Sequence, residues 1–115
     1  MGSLELSACT YSVKVVYYIV IINFADRTTE DIYNGLDTKN ARKIPFVVWR
    51  TAARNLDMIN AAHDLRDLRV PPANRLEVLK GQWKEHYSIR INDQYRIVFK
   101  WVDGNAKDVL ITDYH

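Results

Sequence analysis

The sequence predicts an α+β fold in which N-terminal helices pack on a small, mainly antiparallel β-sheet. Three observations lead there. Apolar residues recur at a helical period around residues 49–59. The period falls to two after residue 86. Turn signals separate the alternating runs, so the strands follow one another as a meander.

The first 20 residues are unlike the rest. Gly2, Ser3, Ser7, Cys9, Thr10 and Ser12 show no period, and Val13, Val15, Val16, Tyr17, Tyr18 and Ile19 form a β-branched and aromatic run. Residues 1–20 are therefore set apart as an N-terminal extension, and residues 21–115 as a single domain. Val13–Ile19 can add a strand, which would have to pair with a sheet edge or another chain.

Ile21–Phe24 reads as a first strand. Asp26, Thr28 and Thr29 offer cap oxygens and Glu30 and Asp31 first-turn acids, which predicts a short helix over Thr28–Asn34 with Gly35 just past its end. A second helix is expected to start near Lys39. Pro45 interrupts it and suits the first turn of a longer helix ending near Ala62. There Trp49, Ala52, Ala53, Leu56 and Ile59 form one stripe, with Arg42, Lys43, Arg50 and Arg54 mostly off it. Asp64–Arg75 reads as a polar connector from which Pro71-Pro72 excludes helix.

Three alternating runs follow. Tyr87, Ile89 and Ile91 face one way, then Tyr95, Ile97, Phe99 and Trp101, then Val109 and Ile111. Asn92-Asp93-Gln94 and Asp103-Gly104-Asn105 are the turns. Matching Ile91 to Tyr95, Ile89 to Ile97 and Tyr87 to Phe99 keeps the bulky residues on one face. That register sets Arg90 across from Arg96, a like-charge conflict that an anion between them would remove. Matching Phe99 to Val109 and Ile97 to Ile111 brings Thr112 beside Arg96, with Tyr114 just beyond.

A chain of 115 residues is enough for one core and needs no metal or disulfide staple. Cys9 is the single cysteine, as expected of a reducing cytoplasm. The net charge of +2 is too mild to diagnose nucleic-acid binding. No membrane association is expected, because the most apolar stretch, Val13–Phe24, is too short for a bilayer and contains Lys14. It also lacks the flanks of a signal peptide.

Positive charge concentrates in the strands. Arg75, Lys80, Lys84, Arg90, Arg96 and Lys100 face Glu77, Glu85 and Asp93, an excess of three, interleaved with Trp83, Tyr87, Tyr95 and Trp101. Guanidinium and ammonium groups for phosphate, with rings for stacking, are what single-stranded RNA binding requires. An ordinary solvated sheet face has the same composition. The chain closes on Asp113-Tyr114-His115, three groups competent in proton transfer, at the end of an apolar strand that should anchor them. A frayed terminus is the plainer reading. His63 and His86 lack metal-ligand spacing, and the isolated Gly35, Gly81 and Gly104 make no phosphate loop. No metal or cofactor is expected.

Ala41-Arg42-Lys43, Ala52–Ala62, Leu68–Gly81, Tyr87–Ile97 and the closing Asp113-Tyr114-His115 together resemble the HigB family of plasmid-maintenance killer toxins, within the RelE superfamily. The resemblance runs from about Ile21 to His115. It implies a RelE-like domain and the metal-independent cleavage of mRNA at the ribosome, which would inhibit translation and growth. The ribose 2′-OH would attack the adjacent phosphate, leaving a 2′,3′-cyclic phosphate and a 5′-OH. It implies Lys80, Arg96, Asp113, Tyr114 and His115 as the catalytic set. Lys80, Arg90 and Arg96 would hold the phosphate, Asp113 and His115 would share acid and base duties, and Tyr114 would stack on or position a base. Arg75, Lys84, Arg90 and Lys100 would bind RNA.

The implied partners are the ribosome with its mRNA and a small helix-turn-helix antitoxin of the HigA type, operator DNA being reached only through that antitoxin. The family's usual Met-Ile start aligns with Val20 and Ile21, so the native start is expected at or near Val20, with Met1–Ile19 as upstream sequence. Three departures stand out. Some members carry His where this chain has Glu77. Gly81-Gln82-Trp83 replaces Gly-Asp-Arg, with Lys84 supplying the missing charge. Tyr95 replaces a usual Trp. Two further readings are a non-catalytic toxin of the same superfamily that binds DNA gyrase, and an inactive antitoxin-binding remnant.

Overall fold

A computed structural model describes residues 20–113. The expected strand at Val13–Ile19, the reading of the N-terminal extension, Tyr114 and His115 lie outside the described residues. The chain enters beside its own last strand. Ile21 and Phe24 form isolated parallel bridges with Ala106 and Val109. The Asn60 carboxamide oxygen accepts from the Val20 and Ile21 amides at 3.1 and 3.0 Å. The strand expected at Ile21–Phe24 is thus two bridges and not a continuous ladder. Between them the Asn23 side chain takes over, donating to Asp108 Oδ1 at 2.8 Å and accepting from the Asp108 amide at 3.0 Å.

Helix α1 is Arg27–Tyr33, one residue earlier than expected at each end. Asp26 caps it by accepting from the Thr29 amide at 2.8 Å, and Gly35 follows at φ +74, where a side chain would be strained. Its buried face is largely polar: Thr28, Thr29, Asp31 and Ile32. Each polar group there has a partner, as burial requires. Thr28 donates to the Asn40 carbonyl at 2.8 Å, Asp31 accepts from Thr38 at 2.6 Å, and Thr29 Oγ1 accepts from the Ile111 amide at 2.9 Å. That last bond ties α1 directly to the sheet.

The helix expected from Lys39 is only a 3-10 turn, Ala41–Lys43. Ile44, the residue before Pro45, is extended at φ −107 and ψ 133, as the proline ring demands. Helix α2 then spans Phe46–Ala61, with Ala62 as its C-cap. Its buried stripe is Val48, Ala52, Asn55, Leu56 and Ile59. Trp49 and Ala53 flank that stripe half-buried, so its centre lies about one position from where the sequence pattern set it. Burying each large apolar side chain contributes roughly 1.5–3 kcal/mol.

In the connector, Leu65–Arg69 and Pro72–Asn74 form 3-10 turns. The first has a capping box. Asp64 accepts from the Arg66 amide, and Asp67 accepts from the Asp64 amide at 3.2 Å. The Arg66 side chain bonded to Asp64 holds its carboxyl below the usual range. The prolines exclude an α-helix but not this turn, because Pro72 sits where no amide donor is needed.

The sheet runs β1 (Glu77–Val78), β2 (His86–Arg90), β3 (Tyr95–Val102) and β4 (Asn105–Asp113), antiparallel and in that spatial order. The β2–β3 register is the expected one, with Tyr87 paired to Phe99, Ile89 to Ile97 and Arg90 to Arg96. In the second hairpin Ile97 pairs with Ile111 and Arg96 with Thr112, but the expected Phe99–Val109 pair gives way to a bulge between Val98 and Lys100. Asp108 at φ +53 absorbs the extra residue. Asp103 and Gly104, at φ +52 and +79, make the tight hairpin turn that their sequence predicts.

Ile89, Ile97, Phe99, Val109 and Ile111 pack with Val48, Ala52, Leu56 and Ile59 in one core. The architecture is therefore α+β, helices on one face of a four-stranded sheet. By alternation the opposite face carries Glu77, Ser88, Arg90, Arg96, Val98, Lys100, Leu110 and Thr112.

Candidate functional site

Arg96 stands on the helix-free face near the start of the inner strand β3, and is only 9% exposed. A guanidinium this deep needs partners, and the described residues provide them from several elements. Nε donates to Ser88 Oγ on β2 at 2.7 Å. Nη2 donates to the Arg75 carbonyl at 2.6 Å, and the Ser88 carbonyl lies at 3.4 Å. Glu77 Oε1 on β1 lies at 3.8 Å.

The Arg75 carbonyl reaches inward because Arg75 adopts the left-handed conformation, φ 46 and ψ 57, closing the Pro72–Asn74 turn. Asn74, buried beside it, secures the turn by donating to the Leu68 carbonyl at 3.1 Å.

Arg90 lies directly across from Arg96, as the sequence register requires. The protein separates the two charges itself. Arg96 is drawn toward Ser88, Arg75 and Glu77, while Arg90 pairs with Asp93 in the hairpin turn. The face still carries two guanidinium groups on neighbouring strands, with the mostly exposed Asp93 and the half-exposed Glu77 as their counter-ions. Both carboxylates stand where a polyanion could take their place.

Most of the remaining basic residues lie toward the other end of the β2–β3 ladder, where His86 pairs with Lys100. Lys80 is exposed, two residues past the end of β1 and at the cap of a 3-10 turn, Gly81–Trp83. Gly81 at φ +67 makes that turn possible. Lys84 follows it, also exposed, and the Arg75 side chain is exposed as well. Lys100 is on the same face and sits 3.8 Å from Asp108. Trp83 packs edge-on against His86, ring centroids 5.2 Å apart, so an aromatic borders the basic groups.

Asp113 ends β4 opposite Tyr95, one position out of phase with the Arg96–Thr112 pair. Strand alternation thus turns it toward the helix side, where its Oδ2 accepts from Gln94 Nε2 at 2.9 Å. The structure therefore unites Arg90 and Arg96 on one face and sets Asp113 off that register. Among the described residues no group of three or more His, Cys, Asp or Glu side chains could hold a metal ion, and no helix is long and apolar enough to cross a membrane.

The sequence that builds this arrangement matches a known family. The model for RelE-like toxins of the type II toxin–antitoxin system HigB matches residues 22–115. The chain belongs to the HigB-like toxin family. It is 44% identical over 85 residues to toxin HigB-1 of Vibrio cholerae serotype O1, covering 74% of this chain and 87% of that toxin. It is 41% identical over 93 residues to an uncharacterized protein of Haemophilus influenzae, covering 81% of this chain and 89% of the relative. Among solved structures, the YoeB-YefM complex from Staphylococcus aureus aligns at a TM-score of 0.49 and 21% identity, covering 84% of this chain and 97% of that one.

Two features of this HigB-like toxin were missed from sequence. Ser88 as the seat of Arg96 was legible in principle: the register sets the two diagonally on one face. The Arg75 carbonyl was not, because it depends on a left-handed backbone that no residue type there signals.

Proposed function

We propose that this HigB-like toxin is a ribosome-dependent mRNA endoribonuclease of the cytoplasm that inhibits translation and growth. The observation that carries this reading is the Arg90–Arg96 pair on the helix-free sheet face, with Lys100 further along the same face and the exposed Arg75, Lys80 and Lys84 in the segments that lead into β1 and β2. Two guanidinium groups on adjacent strands suit a phosphate, and the other cations suit the flanking backbone.

In the proposed reaction the ribose 2′-oxygen forms a bond to the adjacent phosphorus as the bond to the 5′-oxygen breaks. The 2′-OH proton passes to a base on the toxin, and a toxin acid protonates the departing 5′-oxygen. The products are a 2′,3′-cyclic phosphate and a 5′-OH. Lys80 and Arg96 meet the charge that grows on the phosphoryl oxygens, where losing one donor costs about 10²–10³ in rate. Asp113 and His115 divide the two proton transfers, and Tyr114 stacks on or positions a base. No metal or other cofactor enters the scheme.

Membership in a toxin–antitoxin family supports an antitoxin as the restraining partner. We assign that role to a helix-turn-helix protein of the HigA type, which alone would contact operator DNA. The test is to map RNA 5′ ends after brief induction, with translation running and with initiation blocked. New 5′-OH ends inside reading frames, present only during translation, are expected. Cleavage that ignores translation would remove the ribosome from the scheme.

A further inference from the structure

The N-terminal end of α2 carries an apolar patch that the core does not use. Phe46 is 76% exposed and Val47 84%. Phe46 borders an open cleft with Ile44, Pro45 and Trp49, whose polar rim is Asp37 and Arg42, and Val47 stands exposed next to it in the helix. The patch is fixed in shape. Phe46 packs edge-on against Trp49, centroids 4.9 Å apart, and Trp49 Nε1 donates to the Ile44 carbonyl at 2.9 Å. Single exposed apolar residues are ordinary, but contiguous ones mark a place where another surface sits.

The charge around the patch is mostly positive, Asp37 on the cleft rim being offset by Arg42. Between Thr38 and Leu56 the chain has Lys39, Arg42, Lys43, Arg50 and Arg54 and no acidic residue. All five are exposed. Among the described residues Arg42 is ion-paired with Asp37, at 2.9 Å. Arg50 follows Val47 by three and Phe46 by four, and Arg54 lies one turn further, so apolar and cationic groups share one helix face.

We propose that this end of α2 docks an acidic, amphipathic segment of the antitoxin. Apolar side chains of that segment enter the cleft of Ile44, Phe46 and Trp49 and cover the exposed Val47 beside it, and its carboxylates meet Lys43, Arg50 and Arg54. RNA phosphates would match the cations, but they gain nothing from a valine and a proline at the centre, so a protein segment is the better occupant. The proposal rests on the reading that an antitoxin restrains this chain. None of these residues lies on the sheet face of Arg96, so substituting them leaves the proposed cleavage groups in place.

The test titrates the full chain with the antitoxin encoded beside it. Val47→Asp, Phe46→Ser and Arg50→Glu are each expected to weaken the complex about tenfold or more, the size of loss typical at an interface centre. Val102→Ser, at an exposed valine elsewhere, should stay within about twofold. In cells, the antitoxin should fail to rescue growth against the Val47→Asp toxin. If Val47→Asp proves unfolded by circular dichroism, Val47→Ser and Lys43→Glu carry the same expectation.

A wild-type complex indifferent to all these substitutions overturns the docking surface while leaving the partner reading intact. A wild-type chain that binds no antitoxin overturns the partner reading itself. Loss of ribosome or RNA binding with antitoxin affinity unchanged assigns the patch to RNA and also overturns the proposal.

Discussion

Ser88 Oγ accepts a hydrogen bond from Arg96 Nε at 2.7 Å, and neither residue is more than slightly exposed. This contact sets which way the guanidinium points on the open face. Ser88→Ala leaves a buried charged donor unsatisfied, a loss of about 1–3 kcal/mol. We expect a lower midpoint in denaturant melts and slower RNA cleavage with ribosome affinity little changed. Ser88→Thr keeps the hydroxyl and should restore most of the rate, which a purely structural cost of substitution would not predict.

Arg96 and Lys100 share a strand and a face but differ in setting. Arg96 is held by several partners, whereas Lys100 is half-exposed with one distant ion pair. Arg96→Ala should reduce cleavage more than binding, because its role peaks with transition-state charge. Lys100→Ala should change little beyond the salt dependence of binding, an exposed charge being well screened. Single-turnover rates and ribosome pelleting separate the two. Equal losses would favour a diffuse basic surface over a site.

Much of this face was legible in the sequence, for a definite reason. Strict alternation in residues 87–101 fixes the β2–β3 register, and the register alone sets Arg90 opposite Arg96. What failed were local events that override a pattern. The bulge at Asp108 broke the second hairpin's register because Asn23, 85 positions earlier, clamps it. Pro45 reduced the expected start of the second helix to a single turn. The buried Asn55 was passed over because a polar residue breaks an apolar stripe, although its partner lies across the core.

That Asn55 is the basis of a stability prediction. Its Nδ2 donates to the Arg90 carbonyl at 3.0 Å, tying α2 to the hairpin that carries both arginines. Asn55→Ala should cost about 1–3 kcal/mol, and a domain of this size loses about 4–8 °C in melting midpoint per kcal/mol. Thermal denaturation reads it. An unchanged midpoint would mean that the bond is replaced by water without penalty.

The closing residues yield a kinetic prediction. General acids and bases contribute about 10²–10⁴-fold. Deleting His115 should abolish growth arrest, and Asp113→Ala should weaken it, while the chain still folds and binds its antitoxin. Because Asp113 lies out of phase with Arg96, the smaller loss is expected from Asp113→Ala. Full toxicity in either soluble variant would remove that residue from the mechanism.

The central claim is RNA cleavage by this face on the ribosome, and a reconstituted reaction tests it most directly. Purified toxin is added to programmed ribosomes carrying end-labelled mRNA, alongside free mRNA and the Arg96→Ala chain. The account predicts a fragment ending in 2′,3′-cyclic phosphate from ribosome-bound mRNA only, with the Arg96→Ala rate down about 10²–10³-fold. Intact mRNA in the presence of folded wild-type toxin, or equal cleavage by Arg96→Ala, would contradict it.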